Sequence, residues 1–285
     1  MAKDYSLEYS PDKSYVFGFK IKKVLYSGKT RYQKMELYDT PMFGKLLKLD
    51  DAFQTSEGDE FFYHEPLIHV PLMTLPNPKR VLIIGGGDGG ALREVLRHPS
   101  VQKATLAEID KGVIDFSKKY LKNICRGALE DKRADVFIGD GKKYVEESRE
   151  KFDLIIIDLT DPVGPARPLY EPPFYKSVAN HLTKNGLLCL QSESPVTRKE
   201  IFKMVVGNLQ KSFKYVRPFV HYVPLYGTLW SFTVAGNGFD PAKVNAAVLD
   251  KRVKDRGLKG KFKWYRPEIH QSLFNLPPFV EKLIK

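Results

Sequence analysis

Two cysteines, two tryptophans and five methionines in 285 residues leave little for redox or soft-metal chemistry. Cys125 and Cys189 stand in unrelated contexts and are expected to be reduced, buried, small hydrophobes rather than a disulfide or a metal pair. No apolar run is long enough to span a membrane. The opening stretch, MAKDYSLEYSPDKSYVFGF, has no apolar signal core, so a cytoplasmic location is expected. His64 and His69 are five apart with Pro66 between them, which is not zincin spacing. His98, His181, His221 and His270 are isolated, so neither a metal nor a resident cofactor is expected. No serine sits in a G-x-S-x-G elbow. Internal repeats and low-complexity segments are also lacking.

Positive charge is plentiful, with a formal net charge of +12. Such a balance raises nucleic acid as a partner. However, the lysines of KIKK, KKYLKN and SREK alternate with apolar residues, and only KDRGLKGKFKW is dense. A solvated basic surface is the better reading, with no nucleic-acid or membrane partner.

Up to about residue 60 the chain reads as β structure. YVFGFKIKKVLYSG, YQKMELYDT and GKLLKLDDAFQTS are short, partly alternating and broken by Gly, Asp and Pro. They predict a small antiparallel N-terminal β domain over residues 1–60. DEFFYHEPLIHVPLMTL has helical spacing and is expected to bend or break at Pro66 and Pro71. From RVLIIG onward, strands and helices alternate: KATLAEID, ADVFIGDG, FDLIIIDLTDP and GLLCLQSE as strands, with GALREVLRH, KGVIDFSKKYLKNI, KKYVEESR and EPPFYKSVANHL as helices. Alternation of this kind predicts an α/β doubly wound parallel sheet of Rossmann type over residues 61–285. KEIFKMVVGNLQKSF adds a helix, and YVRPFVHYV and LWSFTVAG could pair antiparallel.

The first turn of that region, GGGDGG, packs five glycines around Asp88. Gly85, Gly87 and Gly90 fit G-x-G-x-x-G, which formally admits a dinucleotide. Asp88 opposes that reading, because a carboxylate facing a pyrophosphate is repelled. It suits a cation, such as the sulfonium nucleosides related to S-adenosylmethionine. Glu108 ends the second strand about twenty residues later, where an acid can bind both ribose hydroxyls; the bland alternative is a surface glutamate. Ile109 would then lie against the adenine. Asp140 and Gly141 end the third strand beside the adenine edge, although Asp140 fits a helix N-cap nearly as well. Asp158 and Asp161 follow the fourth strand and face the same crevice as Asp88. A turn accounts for Asp161-Pro162, but not for three acids converging on one cleft. A local acidic pocket on a basic protein implies a small cationic substrate, of which a diamine is the simplest. One carboxylate can hold its far ammonium while another takes the proton of the attacking amine.

GGGDGG with REVLRHPSV, EID, GDG, DLTDPVGPA, RYQ, DDAFQTSEGDEFFYHE and QSES together resemble the polyamine aminopropyltransferases, over nearly the whole chain. That resemblance implies an N-terminal β-sheet domain, a methyltransferase-like Rossmann domain, and homodimers or homotetramers formed partly through the N-terminal sheets. It implies decarboxylated S-adenosylmethionine as co-substrate, an amine acceptor, and methylthioadenosine as a product. Carried over by motif, Gln33, His64, Asp88, Glu108, Ile109, Asp140 and Gly141 would contact the donor. Asp158 would be catalytic. Asp161, Tyr63, Gln191 and Tyr226 would line the acceptor site, and Gln54 would sit where the two substrates meet. Without the motif, Tyr63 and Tyr226 are equally well core aromatics.

Two stretches depart from the resemblance. The strand-four loop is often D-S-S-D, and here Leu159 takes a hydroxyl away. VPLYGTLWSF keeps Tyr226 but lacks the P-T-Y-P-x-G form of putrescine-preferring members. Putrescine is the expected acceptor, with agmatine, cadaverine or a longer polyamine as alternatives. An ordinary S-adenosylmethionine methyltransferase is the runner-up enzyme, and a non-catalytic nucleic-acid or polyamine binder is the third possibility.

Overall fold

The computed structural model describes residues 4–162 and 164–285, so Val163 of DLTDPVGPA lies outside the described residues. The β-rich start forms two sheets where one was expected. Strands β1 (Tyr5–Tyr9) and β2 (Val16–Lys20) make an antiparallel hairpin with Leu7 opposite Gly18. Strands β3 (Lys23–Lys29), β4 (Lys34–Thr40), β5 (Gly44–Leu49) and β6 (Ala52–Ser56) pair in chain order as a four-stranded antiparallel sheet. The run YVFGFKIKKVLYSG is therefore two strands. Its chain crosses from one sheet to the other at Ile21 and Lys22, whose N–H groups donate to the Asp4 and Asp39 carbonyls. Sequence pattern missed β1 because YSLEY buries only Ser6.

Helix α1 (Phe61–Thr74) runs unbroken through Pro66 and Pro71, so the chain is not interrupted there. Every residue from His64 to Thr74 is buried. A helix buried on all sides takes its stability from its surroundings, and here packing outweighs the roughly 3 kcal/mol that each proline costs. The C-terminal region reinforces it. Helix α8 (Ala246–Asp255), which sequence pattern did not anticipate, buries Leu249 and Val253. Its Arg252 donates to the Met73 and Thr74 carbonyls, groups that a helix end leaves unpaired.

Both helices pack on one face of the expected parallel sheet. It consists of β7 (Arg80–Gly85), β8 (Lys103–Glu108), β9 (Ala134–Ile138), β10 (Phe152–Asp158), β11 (Leu182–Gln191), β12 (Tyr215–Val223) and β13 (Thr228–Gly236). Their order is β12-β13-β11-β10-β7-β8-β9. β7 to β11 are parallel, whereas β13 is antiparallel to both β11 and β12, as proposed for that pair. Pro218 is tolerated because β12 is an edge strand.

Alternate residues feed two cores. Val81, Ile83, Leu154, Ile156, Leu187 and Cys189 face α1, α8 and α2 (Gly90–Leu96). Leu82, Ile84, Ile155, Ile157, Leu188 and Leu190 face α6 (Pro172–His181) and α7 (Lys199–Gln210). Helix α3 (Lys111–Tyr120) ends at Leu121, and α4 (Lys122–Cys125) follows as a separate turn where one helix was expected. A further helix, α5 (Gly141–Glu147), follows β9. Cys125 and Cys189 are free and buried, as expected. Among the described residues, no helix is long and apolar enough to cross a membrane, and no cluster of His, Cys, Asp and Glu could hold a metal.

Candidate active site

Strand order reverses between β7 and β10, where Asp158 pairs in register with Gly85. Their carboxyl ends open a crevice, the position in which open α/β sheets bind ligands. The two N-terminal sheets supply its other wall. One continuous cavity is lined by Glu8, Gln33, Gln54, Tyr63, His64, Asp88, Glu108, Ile109, Asp158, Asp161, Gln191, Glu193, Arg198, Tyr226 and Trp230, among others. Every residue the sequence proposed for the site is thus gathered there except Asp140 and Gly141, which do not line it. Asp140 is exposed, and its Oδ1 caps α5 by accepting from the Lys142 and Lys143 N–H groups. The N-cap reading of that position is the one the geometry displays.

The glycines of the first turn make room for charged side chains rather than for a pyrophosphate. Gly86 has φ +70°, and a Cβ there would stand 2.8 Å from Asp158 Oδ2. A Cβ on Gly90 would stand 2.2 Å from the His64 ring. Between them, Asp88 points one oxygen at the Gly90 N–H (2.8 Å) and the other at His64 Nε2 (3.4 Å).

His64 is held on both sides, since its Nδ1 is 2.8 Å from Glu60 Oε2. Burial opposes charge on this ring, but Asp88 and Glu60 outweigh it and hold the imidazole well above its ordinary range. Burial likewise opposes charge on Asp88, and His64 with the Gly90 N–H draws it below the usual carboxylate value.

Asp158 accepts from the Tyr63 hydroxyl at 2.8 Å. Burial first, and then the Asp88 charge, lift Asp158 to about 6, while His64 and Tyr63 restrain the rise. Glu108 accepts from the Asp110 N–H at 2.9 Å, and burial pushes it to about 7. Gln33 donates to Asp110 Oδ2 at 3.0 Å, tying β4's leading edge to the end of β8. Tyr226 donates to the Gln54 carbonyl at 2.9 Å, bridging the N-terminal sheet and the loop before β13.

Sequence reasoning missed three charged groups at the far end of the cavity. Asp161 pairs with Arg198 at 3.2 Å. Glu193 is 1% exposed, has φ +69°, and its carboxylate oxygens have no hydrogen-bond partner among the described residues. Burial raises it well above the ordinary carboxylate range, and the neighbouring Asp161 raises it further. Glu8 accepts from the Phe53 N–H at 2.5 Å, and burial lifts it to about 7. Glu193 was within reach of sequence reasoning, because it lies in the QSES motif that gave Gln191. Glu8 had no local signal, since its backbone partner is 45 residues away. Six acids therefore line one cavity on a chain of net charge +12, with His64 and Arg198 as the cations among them.

Comparison with known proteins follows the same outline. Residues 60–244 match the family described as spermine/spermidine synthase domain, and residues 7–57 match the spermidine synthase tetramerisation domain. A polyamine aminopropyltransferase of Caldicellulosiruptor saccharolyticus is 46% identical over 270 residues, covering 94% of each chain. One from Nitrosomonas europaea is 41% identical over 287 residues, covering 100% of this chain and 87% of its own. Among solved structures, a spermidine synthase in complex with the transition-state analogue AdoDATO has a TM-score of 0.92 at 38% identity, covering 98% of this chain and 94% of its own. The spermidine synthase from Thermotoga maritima has a TM-score of 0.91 at the same 38% identity and the same coverage.

Proposed function

This chain belongs to the spermine/spermidine synthase family, and from that premise we propose that it transfers the aminopropyl group of decarboxylated S-adenosylmethionine to a linear diamine, putrescine first among them. The observation that carries the reading is the single acid-lined cavity in which Asp88, Glu108 and Asp158 face the N-terminal sheet. A nucleoside bearing a sulfonium and a free ammonium matches those charges, and a phosphate does not.

In this reading Glu108 takes the ribose hydroxyls and Ile109 lies along the adenine, with Gln33 at the same end. Asp140 and Gly141, which follow β9 and do not line the cavity, are placed at the adenine edge on the family motif alone. Asp88 takes the donor's ammonium, beside His64. Asp158 removes a proton from the acceptor's near amine, an alkylammonium of pKa about 10 and a poor nucleophile until it is neutral. The amine lone pair forms the new C–N bond as the C–S bond breaks. The bonding electrons return to sulfur, and methylthioadenosine leaves as a neutral thioether with no need of an acid. Fixed carboxylates favour this cationic transition state without reorganising. Gln54, Tyr63, Gln191 and Tyr226 line the acceptor path. Asp161, with Glu8 and Glu193 behind it, receives the far ammonium. The match to a tetramerisation domain supports a homo-oligomer, as do exposed Tyr5, Tyr9, Tyr15, Val24 and Met42 on or beside the N-terminal sheets.

Tyr63→Phe is a direct probe of the base. The Tyr63 hydroxyl stabilises ionised Asp158, so its loss raises the Asp158 pKa further. The acidic limb of kcat/KM, below which the base is protonated and inactive, moves to higher pH. A pH profile in which the variant's limb stays at the wild-type position would remove Tyr63 from this role.

Acceptor identity is tested by specificity constants for putrescine, cadaverine, agmatine, spermidine and butylamine. Pairing an ammonium with carboxylates away from water gains more than bulk does, so butylamine is expected to be the poorest. Butylamine equal to putrescine contradicts the acidic far end. Agmatine or spermidine clearly ahead leaves the donor in place and changes the product.

A further inference from the structure

Behind the cavity wall, His64 belongs to a buried chain of charges that the transfer reaction as described does not use. Glu60 Oε2 accepts from both His64 Nδ1 (2.8 Å) and Arg93 Nη2 (2.7 Å). Arg93 is fixed in turn by Glu94 Oε1 (2.6 Å) and by the Ile124 carbonyl (2.6 Å). Glu94 Oε2 continues the chain to His69 Nε2 (2.8 Å) and to Arg97 (2.6 Å). Glu60, His64, Arg93, Glu94 and His69 are all buried. A buried network of this kind costs stability unless each member is satisfied, and these members are.

The geometry dictates one tautomer. Burial opposes charge on Glu60, but His64 and then Arg93 draw it below the usual glutamate range, and the Arg93 bond to Oε2 holds whichever charge the ring carries. An ionised carboxylate only accepts, so the Nδ1 atom must carry a hydrogen. The variable position is Nε2, which faces Asp88. The charged groups around the ring are Glu60 and Asp59 before α1, Asp88 from the β7–α2 turn, Arg93 from α2 and Asp158 from β10.

We propose that Glu60 and Arg93 are positioning residues that lock His64 with its Nδ1–H on Glu60, and that the proton on Nε2 is the counter-ion of Asp88 in the empty site, released to solvent when the donor's ammonium takes its place. This rests on the donor reading above. With the proton gone, the Nε2 lone pair accepts from the ammonium that Asp88 also holds. The site is thereby kept electrically paired when empty and is not left cationic when filled. The proton passes from His64 to water, and no other bond changes.

Titration calorimetry in buffers of different ionisation enthalpy at about pH 7.5 reads the released proton directly by linkage. The donor's own ammonium stays protonated at that pH, so it is not the source. Methylthioadenosine, which lacks the ammonium, serves as the control and cancels any proton lost by Glu108. Decarboxylated S-adenosylmethionine is expected to release about one proton more than methylthioadenosine. In Glu60→Gln that excess should vanish and the donor should bind at least about tenfold more weakly, as when a hydrogen bond to a charged group is lost. Equal proton counts for the two ligands in the wild-type protein overturn the proposal even if Glu60→Gln does not fold. Failure of the donor to bind at all overturns the donor reading itself, a separate outcome.

Discussion

Asp158→Asn is expected to lower the rate of the chemical step by about 10²–10⁴-fold, the usual worth of a positioned general base, while leaving donor affinity nearly unchanged. The asparagine keeps the side chain's size and can still face the Tyr63 hydroxyl, but it cannot take a proton from the acceptor. The wild-type profile carries the same signature. Asp158 is lifted by burial to about 6, so kcat/KM should fall as the pH drops below that value and the base becomes protonated. In the variant this limb should disappear, leaving a rate that rises with pH as the amine itself deprotonates. Single-turnover measurements with saturating donor separate the chemical step from binding. A variant with near-normal turnover would assign catalysis to positioning and fixed charge alone.

Asp88→Asn should act on the other substrate. Its carboxylate accepts from the Gly90 N–H, faces His64 and lines the cavity, which leaves it able to receive an ammonium. Removing its charge should weaken decarboxylated S-adenosylmethionine by about 1.5–3 kcal/mol, the worth of a hydrogen bond to a charged group. Methylthioadenosine, with no ammonium, should be affected far less. The same carboxylate disfavours the parent cofactor, whose own carboxylate would lie near it, so calorimetry on the wild-type protein should find decarboxylated S-adenosylmethionine much the tighter. Equal affinities for the two would remove Asp88 from the aminopropyl end.

What the sequence made legible follows from how local each signal was. RVLIIG and FDLIIID announced central strands because residues buried on both faces form uninterrupted apolar runs, and they carried Asp88 and Asp158 to the switch point with them. Helix α1 was legible as a helix but not as a continuous one. The packing that keeps it helical through Pro66 and Pro71 comes from α8 and the sheet, far away in sequence. Strand β1 showed no pattern, since its partner supplies the pairing and Ser6 is its one fully buried residue. Glu8 and Arg198 escaped for the same reason: each is placed in the cavity by contacts with residues distant in the chain. Asp140 had two readings from spacing, and the structure displays the N-cap.

The most direct test of the account is product analysis: purified protein is incubated with decarboxylated S-adenosylmethionine and putrescine, and both products are quantified by mass spectrometry. The account predicts spermidine and methylthioadenosine in equal amounts, with no turnover when S-adenosylmethionine replaces the donor. A methylated amine formed from S-adenosylmethionine, or no aminopropylated product from any amine offered, would contradict it.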